Sequence, residues 1–476
     1  MKKKPLSIQK KAGILSVSIT MVIVVCLILL NVIMAVLTEK YPLKLDLTSN
    51  KVFQLSQDSI DYLAGLEKPV HITIMNTRES FLRGGDYFAQ AVSVIEQYTK
   101  YNPNITLEYE DLMANPAYLQ NNSELELSID DILIQSGEKT EKLTAYDIFN
   151  VEASYYGGRI TSSKAEQAMT VAIMNVTEES KIKIAFLEGH GESGQEGLEA
   201  LLQKNGFETV KASLLTEGIP EDAAIAVLSA PRRDITEEEA AALDHFLENG
   251  GAYGKYVYCF GSLEQGELPH LEKWLAKWGL AFGEGAVAET NRRNTITDNI
   301  FFGTASFDDT VLTGKMASEE IPITVPYSRP IQFLFTDNLG YTTKTLLSYS
   351  EDAGIIDEQT QGLGDMVQQG PIPVAGMSTL QKDGMTSGVL LFGSSMMADS
   401  GLFSSGSLSN ADYFLSSFNI LAERENAFSV APKTLGGGFL AINPIQILLW
   451  GIFLALLLPL SVLFTGLYFW MRRRKR

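Results

Sequence analysis

Two long runs without a charged residue, one near each end of the chain, constrain this sequence more than anything between them. From Ala12 to Leu37 the run is dense in Ile, Leu, Val and Met. As a helix rising ~1.5 Å per residue it extends ~39 Å, enough to cross a ~30 Å hydrocarbon core with some tilt. The second run goes from Ile445 to Trp470, with Pro444 before it and Pro459 inside. Core helices rarely stay uncharged for so long, so the pattern predicts transmembrane helices over 12–37 and 445–470. A cleaved signal peptide is the alternative for the first. Its apolar stretch, however, exceeds the usual ~7–15 residues and no clear A-x-A site follows.

The flanks predict an orientation. Lys2, Lys3, Lys4, Lys10 and Lys11 precede the first run, and Arg472, Arg473, Arg474, Lys475 and Arg476 follow the second. The positive-inside rule puts the basic tails 1–11 and 471–476 in the cytoplasm and the region between the spans outside. The formal net charge of -19 combines 38 basic and 57 acidic residues. Ten of the bases sit in the tails and every acid lies between Glu39 and Glu425, so the intervening region carries 28 bases and a net -29. Such a surface excludes nucleic acid as a partner, because phosphate binding needs a basic face to displace counterions. Cys26 and Cys259 are the only cysteines, which excludes a disulfide framework or a cysteine-rich zinc scaffold. No Walker A sequence is present, so any transport ATPase must be a separate chain.

Between the predicted spans the periodicities alternate as in an α/β fold. Region 38–180 opens with Ser56 as the N-cap of a short helix whose apolar stripe is Ile60, Leu63 and Leu66. Strands are predicted at 70–74, 105–109 and 131–135, with helices over 86–101 and 165–176. That order suits a small membrane-proximal unit of thioredoxin-like type. Region 181–432 begins with a strand at 182–187 and a helix carrying Leu198, Leu201 and Leu202. Strands at 207–214 and 224–229 follow, then a capping box from Thr236 to Glu239, a helix ending at Gly250-Gly251, and a strand at 256–260. This run predicts an open parallel sheet of flavodoxin-like type. Trp274 and Trp278 mark a further amphipathic helix, 371–375 and 388–393 read as returning strands, and Asn410 starts a helix running to about Glu423. Residues 291–369 show no clear period. Residues 433–444, with Gly436-Gly437-Gly438, form a flexible link into the second predicted span.

The sharpest chemical motif is Gly189-His190-Gly191-Glu192. It lies at the carboxyl end of a strand and before a helix, where open α/β sheets place ligand sites. Its glycines allow a sharp turn, and helix amides there could hold an anion. His190 and Glu192 could serve as an acid/base pair or as two metal ligands. The plainer reading is a tight turn whose side chains satisfy loop amides. With only His71, His190, His245 and His270 in the chain and no HExxH, no metal or cofactor is predicted. Gly189, His190, Gly191 and Glu192 stand as ligand- or partner-contact residues, and no residue is assigned to catalysis. Gly393-Ser394-Ser395 follows a strand but lacks the G-x-S-x-G pattern of a hydrolase elbow. Gly283-Glu284-Gly285 reads as a turn, Asp130-Asp131 as a loop pair, and 237–239 as a solvated helix start.

Several motifs in order carry a family resemblance. They are Leu45-Asp46-Leu47-Thr48 with Leu55-Ser56, then Phe186-Leu187-Glu188-Gly189-His190-Gly191-Glu192, the helix-turn at 243–251, and Asn410-Ala411-Asp412-Tyr413-Phe414-Leu415 with Asn419. Together with the anchor–ectodomain–anchor plan, the chain resembles the GldG-like auxiliary, substrate-binding-like components of ABC transport systems first associated with bacterial gliding motility. The resemblance implies an amidotransferase-like parallel-sheet domain without an established catalytic triad, with a separate ABC-type ATPase and a multi-span permease as partners. It implies a bacterial cell membrane location and a non-enzymatic role in cargo capture, gating or assembly. The chain departs from the family at Ala252-Tyr253-Gly254-Lys255 and at Cys259-Phe260-Gly261, where a plain apolar strand ending in an acid is usual. Two other classes stay open: a membrane-tethered hydrolase of envelope material using His190 and Glu192, and a non-catalytic envelope or motility scaffold.

Overall fold

The computed structural model describes residues 52–435 except 155–156, 179–180, 315, 317–320, 358–365, 367–368, 406, 425–429 and 431, together with Met21, Val22, Val25, Leu29, Met471 and Arg472. The chain divides into two compact units, Met1–Gln54 and Leu55–Arg476. The architecture below is that of the second.

The expected frame of two membrane helices is corrected. Among the described residues no helix is long and apolar enough to cross a membrane. The longest, Asp86–Tyr101, has 16 residues and carries Asp86, Glu96 and Lys100. At ~1.5 Å per residue it spans ~24 Å, short of a ~30 Å hydrocarbon core. The segments 12–37 and 445–470 lie outside the described residues, apart from Met21, Val22, Val25 and Leu29. The placement in a bacterial cell membrane, with both termini cytoplasmic and the main domain outside, falls with that frame.

The first lobe is built on a mixed sheet. Its strands are β1 (Val70–Ile74), β2 (Ile105–Tyr109), β3 (Ile132–Ser136) and β4 (Lys139–Leu143), in the order β2-β1-β3-β4. β1 and β2 run parallel because the Asp86–Tyr101 helix crosses between them, whereas β3 and β4 are antiparallel neighbours. That helix buries Val92, Ile95 and Tyr98 against the inward side chains of β1, Ile72 and Ile74. A separate hairpin, β5 (Phe149–Ser154) and β6 (Gly157–Ser163), leads into the Ala165–Thr177 helix.

The second lobe carries the larger sheet. β7 (Lys183–Leu187), β8 (Glu208–Ala212), β9 (Ala223–Ser229) and β10 (Tyr256–Phe260) are parallel, ordered β10-β9-β7-β8. Alternation along each strand sends successive side chains to opposite faces. Ile184 and Phe186 meet the Glu196–Lys204 and Asn410–Leu421 helices. Ala185, Leu187 and Cys259 meet the Glu237–Glu248 and Pro269–Lys277 helices on the other face. The helix after β7 and the helix after β9 thus lie on opposite faces, and the strand order reverses between β7 and β9. Their carboxyl ends form the switch point of the sheet, the place where such folds put their sites.

The sheet does not stay parallel. Beyond β10 come β11 (Leu280–Phe282), β12 (Ala286–Glu289), β13 (Thr304–Phe307), β14 (Ile323–Thr324), β15 (Ile331–Phe333), β16 (Asp337–Asn338), β17 (Tyr341–Tyr349), β18 (Ala353–Ile356), β19 (Ile372–Lys382) and β20 (Met385–Phe392). β20 adds parallel to β10, and then β19, β17, β13 and β14 extend the sheet in antiparallel fashion. The expected open parallel sheet is therefore five strands of a ten-stranded mixed one. The change of direction has a local cause. Asp383 and Gly384 both take positive φ, 51° and 86°, which is the geometry a two-residue hairpin turn demands. Gly393, just past β20, must be glycine for space: a Cβ there would lie 2.1 Å from the Arg329 carbonyl oxygen.

Candidate functional site

The loop leaving β7 folds back on itself. Gly189 has φ 129°, Gly191 φ 72° and Gly194 φ 74°. At Gly189 nothing lies near a hypothetical Cβ, so the backbone angle alone calls for glycine. The turn gathers the amides of Gly189 and His190 onto one carboxylate. Glu192 Oε2 accepts from Gly189 N at 3.1 Å and from His190 N at 2.9 Å. The anion expected at this end of the strand is thus supplied by the chain itself.

His190 is held from both sides. Its Nδ1 lies 3.3 Å from Glu192 and its Nε2 3.1 Å from Glu239. The ring is 7% exposed, and the side chains of Glu192 and Glu239 are 4% and 2% exposed. The two carboxylates face opposite ring nitrogens, so they cannot close on a single cation with the imidazole. Among the described residues no group of three or more His, Cys, Asp or Glu side chains is placed to hold a metal ion.

Glu239 reaches His190 because of the capping box. Thr236 accepts from the Glu239 amide at 3.1 Å, and the Glu239 carboxylate accepts from the Thr236 amide at 2.7 Å. This turns Glu239 back over the start of its helix and under the β7 loop. Glu237 and Glu238 are exposed, as a solvated helix start requires, but Glu239 is buried and tied to the site. Its capping role is visible from spacing, whereas its second partner lies 49 residues away. The backbone completes the lock. The His190 carbonyl accepts from the amides of Arg232 and Arg233, each at 2.9 Å. Arg233 also donates to the Gly189 carbonyl at 2.7 Å. Ser229 Oγ donates to the Ser193 carbonyl, and the Ser193 amide donates to the Ser229 carbonyl. The exposed rim is made by Gly189, Gly191, Arg232 and Arg233. The two arginines carry no sequence signature beyond following a strand.

A second pair stands at the same edge. Asp234 accepts from the amides of His270 and Leu271 and from His270 Nδ1 at 2.7 Å, capping the Pro269–Lys277 helix from outside. Burial pushes the Asp234 carboxyl up, but these donors outweigh it and hold the group below its usual range. A depressed folded-state value means the stabilisation is complete above the unfolded value of ~3.9 and is lost as pH falls through the folded one. Urea midpoints measured from pH 6 downward should therefore fall more steeply below about pH 4 in the wild type than in Asp234→Asn. Parallel curves would remove Asp234 as a contributor.

The other candidates separate from this edge or close up. Ser394 is 2% exposed, and its hydroxyl accepts from the Met396 amide, so it is not presented as a nucleophile. Gly283-Glu284-Gly285 is the bend between β11 and β12. Asp130 accepts from the Asn76 side chain, and Asp131 is buried and accepts from the Ser128 amide. Cys259 points into the helical layer, and burial pushes its thiol up to about 12. A thiol reagent at pH 8 should leave the peptide containing Cys259 unlabelled until urea unfolds the protein. Rapid labelling in the absence of urea would show the site to be open.

A family model described as a domain of unknown function (DUF7088) matches residues 49–153, in the first lobe. No curated protein matches the chain. Among solved structures, the chain is similar to the mmIFT52 N-terminal domain at 12% identity, with a TM-score of 0.39 over 51% of this chain and 98% of that one. It is similar to a GMP synthase component from Thermoplasma acidophilum at 12% identity, with a TM-score of 0.27, 52% and 96% of the two chains being covered. The same holds for PurLQS from Thermotoga maritima at 17% identity and a TM-score of 0.23, with coverages of 40% and 87%. Likenesses this loose carry no weight for function.

Proposed function

We propose that this chain is a non-catalytic auxiliary component of an ABC-type transport complex, acting with a separate ATPase and a multi-span permease in cargo capture, gating or assembly. The switch-point rim of Gly189, Gly191, Arg232 and Arg233 is its partner contact. The observation that carries this reading is the self-filled site: Glu192 occupies the loop amides, and both ring nitrogens of His190 are engaged by buried carboxylates. A general base needs a nitrogen within reach of a substrate proton, and an anion site needs unfilled donors. A rigid, internally satisfied loop instead suits presentation of a fixed surface. The identity of the partners rests on the resemblance to GldG-like components.

The test is affinity capture of the full chain from detergent-solubilised cells. An ATPase and a permease should be recovered together, and less of both with the paired charge reversal Arg232→Glu and Arg233→Glu. Recovery of neither from the wild type would sink the proposal. Equal recovery with the reversed pair would move the contact elsewhere on the surface.

A further inference from the structure

The two ends of the described domain meet on one buried carboxylate. Glu166, in the first turn of the Ala165–Thr177 helix, accepts through Oε1 from the Ser56 amide at 2.6 Å and from Ser59 Oγ at 2.5 Å. Ser56 and Ser59 begin the first helix of the domain, Gln57–Ala64. Through Oε2, Glu166 meets Lys433 Nζ at 2.5 Å. Lys433 lies 267 residues further on, beyond the last helix of the second lobe. The side chains of Glu166 and Lys433 are 2% and 11% exposed, so water does not screen the pair.

The segment around Lys433 lies across the first lobe as a strap. Its backbone exchanges two hydrogen bonds with Ser163 at the end of β6, both 2.8 Å. Val430 packs on Val171, Met174 and Tyr62, and its amide donates to the Gln167 side chain. The strap therefore covers an apolar patch and caps a strand end that would otherwise offer unpaired backbone groups.

We propose that the Glu166–Lys433 pair is the latch of a releasable strap, and that the latch is shared with the entry helix, so opening the strap loosens both ends of the domain together. A buried charge left without its partner is strongly unfavourable. Without Lys433, Glu166 must recruit water, and water reaching that carboxylate competes for the Ser56 and Ser59 donors as well. The lobe sheets take no part in this exchange. The latch is thus an element with two states, attached to the ends of the domain and not to its core.

Hydrogen exchange on the full chain, resolved by peptide, tests the inference with Lys433→Met. Exchange at the amides of Ser163, Lys433 and Ser56 should speed up at least tenfold, while β7, β9 and β10 stay at the wild-type rate. Lys433→Arg should restore slow exchange at all three amides. Faster exchange at Ser163 and Lys433 with Ser56 unchanged would overturn the coupling of the two ends. No change at any of the three would overturn the latch. Acceleration throughout β7–β10 would also overturn it, because the pair would then support the whole fold and not a releasable strap.

Discussion

Replacing His190 with alanine is expected to lower the stability of the domain by about 3 kcal/mol, the order expected when hydrogen bonds to charged groups are lost and their acceptors stay buried. Two acceptors are stranded by the change. Glu192 keeps its loop amides and Glu239 keeps its capping contact, but each loses the imidazole that separates two carboxylates. The loss should show as a lower urea midpoint with an unchanged slope. Glu239→Gln in the same background should not add fully, since the two residues share one contact, and a coupling of about 0.5–3 kcal/mol is expected. A stable His190→Ala protein that has lost an enzymatic activity would instead favour the hydrolase reading. The experiment therefore bears on function as well as on folding.

A comparably large effect is expected from Phe414→Ala, about 3–5 kcal/mol for deleting a buried aromatic ring. Phe414 is fully buried on the Asn410–Leu421 helix. Its ring stands 5.8 Å from Phe260, 5.6 Å from Phe392, 5.9 Å from Phe403 and 6.0 Å from Tyr413 between centroids. Phe260 and Phe392 are the last residues of neighbouring strands, so one side chain holds a late helix against the carboxyl half of the sheet. Collapse into the space is restricted, because the neighbouring rings are themselves packed edge and face. A urea midpoint within experimental error of the wild type would mean that the helix is not seated as described.

Much of this architecture is legible in the residues. The helix over 86–101, the strands at 70–74, 105–109 and 256–260, the Ser56 cap and the Thr236–Glu239 capping box all appear at the predicted places. The position of the glycine-histidine motif after β7 is readable in the same way. The Asp383-Gly384 pair is a hairpin signal of the ordinary kind, and it is what takes the sheet from parallel to antiparallel. Residues 291–369 are opaque for a physical reason. Their strands are short, and three of them have only two or three residues, too few for alternation to emerge. The two long apolar runs mislead in another way. Uncharged length is a statement about solvent preference, and no described helix of the fold has the span that the inference required.

By itself the sequence determined where helices and strands start, which residues cap them and which motif sits at the end of β7. Each of these depends on neighbours within about four residues, so local order is enough to write them. The tertiary structure alone decided that Glu192 fills its own loop, that Glu239 takes the far nitrogen of His190, and that Ser56 and Lys433 share Glu166. Those choices follow from strand order and from crossovers on opposite faces of the sheet. They bring together groups separated by tens to hundreds of residues, and burial then leaves each polar atom no partner but the one the fold has delivered.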